Sequence, residues 1–209
     1  MKAGQRDGVG VRGLGLAGSD RTAATDAALI QASLRDPDCF AAVFDRHAGE
    51  IYRYASGRLG PDAADDVTAE TFLTAFRKRA SYDVSRDDAR PWLYGIATRW
   101  ISEHRRGERR HLQSLARLAG PARAEAFEEA ADDRIEARQQ LPQLARALAV
   151  LSPADRDLLL LVAWTDLSYR DIAHALAIPP GTVASRLHRI RGKLRRALGG
   201  YQHQPVQEA

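Results

Sequence analysis

The sequence predicts an all-α protein: two small helical domains joined by a flexible linker, the second containing a helix-turn-helix. Three observations predict this class. Apolar residues recur at helical spacing from Asp26 onward. No stretch before residue 110 shows the strict alternation of a half-buried strand. Gly60-Pro61 and Gly120-Pro121 punctuate the helical pattern. A chain of 209 residues, 44% hydrophobic and 28% charged, supplies apolar side chains for one or two small cores.

Residues 1–24 are rich in Gly, Arg and Asp without periodicity and are expected to form a disordered leader. The first domain is assigned to residues 25–111. Leu29, Ile30, Leu34, Phe40, Val43, Phe44, Ile51, Tyr52, Tyr54 and Leu59 carry its opening helical pattern, which Gly60-Pro61 stops. Asp62 stands at the expected N-cap of the next helix, where Val67, Phe72, Leu73, Phe76 and Ala80 form the expected apolar face. Residues 81–90 read as a polar loop, and Pro91 suits the first turn of a helix bearing Trp92, Leu93, Ile96, Trp100 and Ile101.

Residues 112–140 read as an acidic linker, with Glu125, Glu128, Glu129, Asp132, Asp133 and Glu136. The second domain is assigned to residues 141–199. Its Ser152-Pro153-Ala154-Asp155 combines a capping hydroxyl, a proline for the first helical position and a carboxylate for the first turn; the run Leu158 to Ala163 makes this a buried helix. Residues 200–209 form a polar tail.

Several function classes are excluded on composition. Cys39 is the single cysteine, so an intrachain disulfide and a Cys-based zinc site cannot be built. No run approaches the ~18 apolar residues of a membrane span, and the Gly, Arg and Asp residues of the N-terminal stretch do not read as a signal peptide, so no membrane insertion is expected and a reducing cytoplasm is the expected compartment. The six histidines are scattered, and P-loop, GxSxG, HExxH and dinucleotide fingerprints are missing. No catalytic residue, metal site or cofactor is therefore assigned, and the protein is not expected to be an enzyme. A formal net charge of +4 permits nucleic-acid binding, so the distribution of charge matters more than its sum.

That distribution is uneven. Residues 168–198, SYRDIAHALAIPPGTVASRLHRIRGKLRRAL, hold the strongest local signal. Ser168 can cap a helix carrying Ile172, Ala173 and Leu176 on one side. Ile178-Pro179-Pro180-Gly181 then makes a sharp connection to a second helix with Val183, Leu187, Ile190, Leu194 and Leu198 in one stripe. From Gly181 to Leu198 there are six Lys or Arg residues and no Asp or Glu, a division suited to a helix lying in the major groove. A second basic cluster, His104, Arg105, Arg106, Arg109, Arg110 and His111, follows Trp92, Tyr94 and Trp100. Arginines beside aromatic rings suit unstacked single-stranded bases. Trp92 reads as a core residue; Trp100 fits either the core or a base stack. In contrast, residues 62–72 carry Asp62, Asp65, Asp66 and Glu70 and no basic residue, which suits a basic protein partner rather than DNA.

Taken in order, DDVTAETFLTAFR (65–77), RPWLYGIA (90–97), LSPADRDLLLL, LSYRDIAHAL and GTVASRLHRIRGKLRRAL resemble the sigma factors of bacterial RNA polymerase, and more narrowly the extracytoplasmic-function (ECF) subfamily. The resemblance covers about residues 28–110 and 141–198. It implies a protein that binds core RNA polymerase and directs promoter recognition, melting and initiation. Promoter DNA and an anti-sigma factor are its further implied partners. By the same resemblance Asp65, Asp66, Glu70, Phe72 and Leu73 dock on the polymerase. Residues 81–90 with Arg99, Trp100, Glu103, His104, Arg105 and Arg106 meet the −10 element. Thr182, Ala184, Ser185, Arg186, His188 and Arg189, with Arg191 and Lys193 further along the basic face, meet the −35 element. The chain departs from the family at Ala69, at Thr98-Arg99, at Pro179 and at Ala184. The competing reading is a helix-turn-helix transcriptional regulator with a helical sensor or dimerisation domain. It accounts for residues 141–198 but not for the acidic helix or the aromatic-basic helix. Two small DNA-facing surfaces on a flexible linker also predict weak promoter binding by the protein alone.

Overall fold

The computed structural model describes residues 23–119 and 147–199, and all regular elements among them are helical. The expected leader, apart from residues 23 and 24, the tail and most of the linker lie outside the described residues. In the first unit, α1 (Asp26–Ala32) and a 3-10 turn (Pro37–Phe40) lead into α2 (Ala41–Leu59), α3 (Pro61–Lys78) and α4 (Arg90–Ala119). In the second, α5 (Pro153–Trp164) precedes α6 (Tyr169–Ala175) and α7 (Pro180–Gly199). Helix α4 runs on past residue 111 to Ala119, into the stretch assigned to the linker.

The caps explain where the helices begin. Thr25, Ser152 and Ser168 accept the N–H groups of Ala28, Asp155 and Asp171 at the starts of α1, α5 and α6. Helix α3 departs from expectation: it opens at Pro61 behind Gly60, no side chain caps it, and Asp62 falls in its first turn. Gly60, at φ 85°, both ends α2 and precedes α3, so no residue remains between the two helices to offer a capping side chain.

The face that α3 buries is also rotated from the expected stripe. It consists of Ala64, Val67, Thr68, Thr71, Phe72 and Ala75, while Leu73 and Ala80 are exposed. Thr68 and Thr71 enter the core because their hydroxyls donate to the carbonyls of Ala64 and Val67 at 2.7 and 2.6 Å. Their hydrogen-bonding demand is met within the helix itself.

A buried ionic cluster ties the start of the unit together. Asp26, in the first turn of α1, accepts from Arg46 at 2.9 Å and from the Ala89 N–H at 3.0 Å, and lies 2.8 Å from His47 Nε2. It therefore joins α1, α2 and the loop that precedes α4. Burial raises the Asp26 carboxyl, but the hydrogen bonds from His47, Ala89 and Arg46, with the His47 charge, outweigh it and hold its pKa at about 2. A carboxylate depressed on folding stabilises the fold above its unfolded value of 3.8 and loses that contribution as pH falls through about 2. At 1.36 kcal/mol per unit the contribution is about 2 kcal/mol. Asp26→Asn is expected to lower stability at neutral pH by about that much and to flatten the acid limb between about pH 4 and 2. Urea titrations across that window check both; an unchanged acid limb in the variant would refute the account.

Buried side chains from both units form one continuous apolar cluster that includes Tyr54, Leu93 and Ile101 with Leu158, Leu161, Ile172 and Val183. Helix α4 packs on α6 so closely that a Cβ added at Gly95 would stand 2.6 Å from the Ala175 carbonyl oxygen. The ring of Trp164 similarly covers Gly57.

Candidate nucleic-acid and polymerase interfaces

Helices α6 and α7 form the expected helix-turn-helix. The turn needs a left-handed residue, and Ala177 supplies it at φ 53° without being glycine. The Ala177 and Ile178 N–H groups bond back to the carbonyls of His174 and Ala173, closing the end of α6 in the manner of a Schellman motif. Proline and glycine mark the turn one residue later in the sequence, at Ile178-Gly181, whereas the backbone reverses at Ala177. Val183, Leu187 and Ile190 are fully buried beneath α7, whereas Leu198 is exposed.

The basic residues of α7 separate into two sets. Ser185, His188, Arg189, Arg191, Arg195 and Arg196 are exposed on the outer side. Arg186 and Lys193 lie on the flank facing α5, where one carboxylate, Asp155, sits 3.7 Å from Arg186 Nε and 3.1 Å from Lys193 Nζ. Burial would raise the Asp155 carboxyl, but the bonds from Lys193 and Ser152 and the two positive charges carry it below its ordinary value. Thr182 is half-buried, and its N–H bonds to the Pro179 carbonyl.

On α4, Arg99, Glu103 and Arg106 are exposed, and His104 is half-buried 3.6 Å from Glu108. Arg105 donates to the Arg58 carbonyl at 2.7 Å. The Trp100 indole N–H donates to Thr74 Oγ1 at 3.0 Å, so this ring is fastened to α3 while part of it remains accessible. Trp92 packs against Tyr82 with ring centroids 5.0 Å apart, in agreement with the core assignment.

Asp65 and Asp66 are exposed on α3 and Glu70 is half-exposed. Phe72 is only 5% exposed and belongs to the core. The apolar surface beside the acidic residues comes instead from Leu73, 41% exposed, and Phe44, 43% exposed. Phe44 stands edge-on to Phe72 with centroids 4.9 Å apart. In the sequence Phe44 is one apolar position of a helical stripe. Its exposure depends on the α2–α3 packing, which spacing along one helix does not reveal.

The two units are held together by polar contacts as well as apolar ones. The Arg58 side chain, 1% exposed on α2, donates through Nη2 to Asp157 on α5 and through Nη1 to the Tyr54 hydroxyl at 2.8 Å. Tyr54 in turn lies 3.0 Å from Thr98 Oγ1 on α4. Nearer the surface, Arg90 holds both oxygens of Asp166 at 2.8 and 3.0 Å, and Arg86 approaches Asp171 at 3.7 Å. A groove of about 460 Å³ runs between the units, lined by Arg99, Glu103 and Arg106 on one side and by Asp157, Leu176 and Arg186 on the other. Among the described residues no helix is long and apolar enough to cross a membrane.

Comparison with known proteins accounts for both halves. The Sigma-70 region 2 family matches residues 43–111, and the Sigma-70 region 4 family matches residues 141–194. The chain is 33% identical over 169 residues to the ECF RNA polymerase sigma factor SigL of Mycobacterium tuberculosis (strain ATCC 25618 / H37Rv), covering 79% of this chain and 86% of that protein. It is 32% identical over 145 residues to SigC of Mycobacterium tuberculosis (strain CDC 1551 / Oshkosh), covering 69% and 75%. SigW of Bacillus subtilis (strain 168) is 28% identical over 170 residues, covering 78% and 90%. Among solved structures, CnrH in complex with the cytosolic domain of CnrY superposes with a TM-score of 0.56 at 21% identity, covering 85% of this chain and 99% of that one. RpoE in complex with the anti-sigma factor NepR from Bartonella quintana gives 0.52 at 21%, covering 78% and 98%, and both likenesses bear on the fold. The region 2 match falls on the half that a helix-turn-helix regulator leaves unexplained, and that reading is set aside. The acidic helix, the aromatic-basic helix and the helix-turn-helix thus have one common explanation: this chain belongs to the ECF sigma factors, transcription initiation factors that bind core RNA polymerase and direct it to promoters.

Proposed function

We propose that the three surfaces divide the work of a sigma factor as their charges suggest. The observation that carries this reading is the segregation of exposed charge. Asp65 and Asp66 stand on α3 beside Leu73 and Phe44, while the outer side of α7 presents arginines and a histidine. Residues 25–111 serve as the unit that docks on polymerase and engages the −10 element, and residues 141–199 as the unit that reads the −35 element. Asp65, Asp66, Glu70 and Leu73 meet the polymerase, with Phe44 added from the structure and Phe72 acting from beneath as their support. Arg99, Trp100, Glu103, His104, Arg105 and Arg106 face the −10 element.

For the −35 element, Ser185, His188 and Arg189 lie outermost on the first half of α7, where a recognition helix meets base edges. Arg191 follows on the same exposed side. Thr182 contributes at the start of the helix, and Arg186 and Lys193 approach the duplex from the Asp155-bound flank. The protein works in the compartment of the polymerase. An anti-sigma protein is a fitting additional partner, since RpoE of Bartonella quintana, similar in fold, was solved with one. The protein is not itself an enzyme on this reading, and phosphoryl transfer in any assay belongs to the polymerase.

Transcription by core polymerase over a randomised promoter library tests the reading as a whole. Adding the protein is expected to enrich templates sharing one −10 and one −35 sequence. Initiation indistinguishable from core polymerase alone would reject it.

A further inference from the structure

We infer that Asp26 is a positioning residue for promoter reading: from the start of α1 it holds the loop of residues 81–90 in the shape that presents Val84 and Ser85 to the −10 element. The inference rests on the −10 reading of the first unit, within which the resemblance to sigma factors gives this loop its part. The loop is fastened at two levels. At its tip the Arg86 N–H donates to the Asp83 carbonyl at 3.1 Å, and Asp83 Oδ1 accepts the Ser85 N–H at 3.1 Å and the Ser85 hydroxyl at 2.7 Å. The Tyr82 hydroxyl donates across this turn to the Arg86 carbonyl at 2.6 Å, while its buried ring packs on Trp92. Val84, 51% exposed, and Ser85 are left on the outside. An exposed apolar side chain there suits a base rather than a phosphate. Behind the tip, one residue holds the limb that returns to α4. The Asp26 N–H donates to the Asp87 carbonyl at 3.1 Å, and Asp26 Oδ2 accepts the Ala89 N–H at 3.0 Å. Bonds to alternate residues fix both the position and the direction of this limb.

The Asp26 carboxylate is not needed by its own helix. Thr25 caps α1 by accepting the Ala28 N–H, and Leu29 and Ile30 supply its fully buried apolar contacts. The N–H of a first helical residue has no partner within the helix, so that of Asp26 is available to the loop. A carboxylate in a first turn ordinarily stays in water, where it already favours the helix dipole. This one is 6% exposed. Its burial is tolerated because Arg46 and His47 of α2 stand 2.9 and 2.8 Å from its oxygens. What the buried carboxylate gains is the hold on residue 89: α2 grips Asp26, and Asp26 grips the loop. A binding loop already held in one conformation loses less entropy on contact. It also rejects a wrong base more strongly, because it cannot shift to fit it.

The test is transcription by core polymerase loaded with the full chain, over one promoter library randomised in the −10 element and another randomised in the −35 element. Asp26→Ala removes the acceptor for the Ala89 N–H. It is expected to cut the preference at one or more −10 positions by about fivefold or more, the low end of what one base contact discriminates, and to leave the −35 preference unchanged. Asp26→Asn keeps one acceptor where Arg46 and Ala89 now bond to different oxygens, so a smaller loss at −10 is expected, and this variant carries the test if Asp26→Ala does not fold. Wild-type −10 preference in either variant, with helical circular dichroism intact, would overturn the inference. Ile51→Val trims the same core without removing a hydrogen bond and is expected to keep both preferences. A loss of −10 preference there equal to that of Asp26→Ala would reduce the effect to lost stability and reject the positioning role. Val84→Ala with Ser85→Ala tests the loop itself. If this pair alters the −10 preference and Asp26→Ala does not, the loop reads the promoter without help from α1 and only the inference fails. If the pair leaves the −10 preference unchanged, the −10 reading of the loop fails and the inference falls with it.

Discussion

Arg189→Ala is expected to flatten the preference of the polymerase–sigma complex at one or two positions of the −35 element, while Arg195→Ala weakens binding to all duplexes alike. Both side chains are exposed on the outer side of α7, so neither substitution opens a cavity. Their positions along the helix differ. Arg189 lies in the half that follows the turn at Ala177, where a helix in the major groove meets base edges. Arg195 lies almost two turns further on, and its Nε is directed to the Arg191 carbonyl at 3.4 Å. An arginine bonded to both acceptors of a guanine discriminates by about 1–3 kcal/mol. A phosphate contact carries no sequence information, and its loss shallows the salt slope by roughly one unit. Binding over a library of −35 variants at two salt concentrations distinguishes them. If Arg195→Ala changed the preferred sequence and Arg189→Ala only lowered affinity, the orientation of α7 on DNA would be reversed. Arg186 provides an internal contrast. Its Asp155 partner restrains it, so Arg186→Ala is expected to disturb the α5–α7 contact as well as DNA binding.

The second large effect is expected at the polymerase. Reversing Asp66 and Glu70 together, to Lys, should weaken association with core polymerase by about tenfold to a hundredfold, or about 1.4–2.8 kcal/mol. Asp66 is exposed and Glu70 half-exposed, and the buried face of α3 points the other way. Such surface substitutions usually change stability by no more than ~0.5 kcal/mol. Circular dichroism should therefore show an intact helical fold in a variant that no longer co-elutes with polymerase. Wild-type affinity in the folded double variant would move the docking surface elsewhere. Leu73→Ala tests the apolar part of the same surface, because Leu73 is 41% exposed and stands outside the buried core cluster.

The features legible in the sequence were those decided within a turn or two of the chain. Ser152 and Ser168 cap their helices because a hydroxyl placed before a helix reaches an N–H three residues on, whatever surrounds it. The α7 stripe of Val183, Leu187 and Ile190 beneath a basic outer side follows from the 3.6-residue period alone. The order of acidic helix, aromatic-basic helix and helix-turn-helix is likewise a property of the chain, and it carried the family and its function. Tertiary structure decided what depends on distant partners. It rotated the buried face of α3 onto Thr68 and Thr71, left Leu73 and Phe44 outside, and fastened Trp100 to Thr74. It gathered Asp26, Arg46, His47 and the Ala89 N–H into one buried cluster. It also brought Arg58 to Asp157 and Gly95 to Ala175, closing the two units on each other. A charged residue is read from sequence as solvated, because burying it alone is too costly. Only the fold supplies the opposite charge that makes its burial possible.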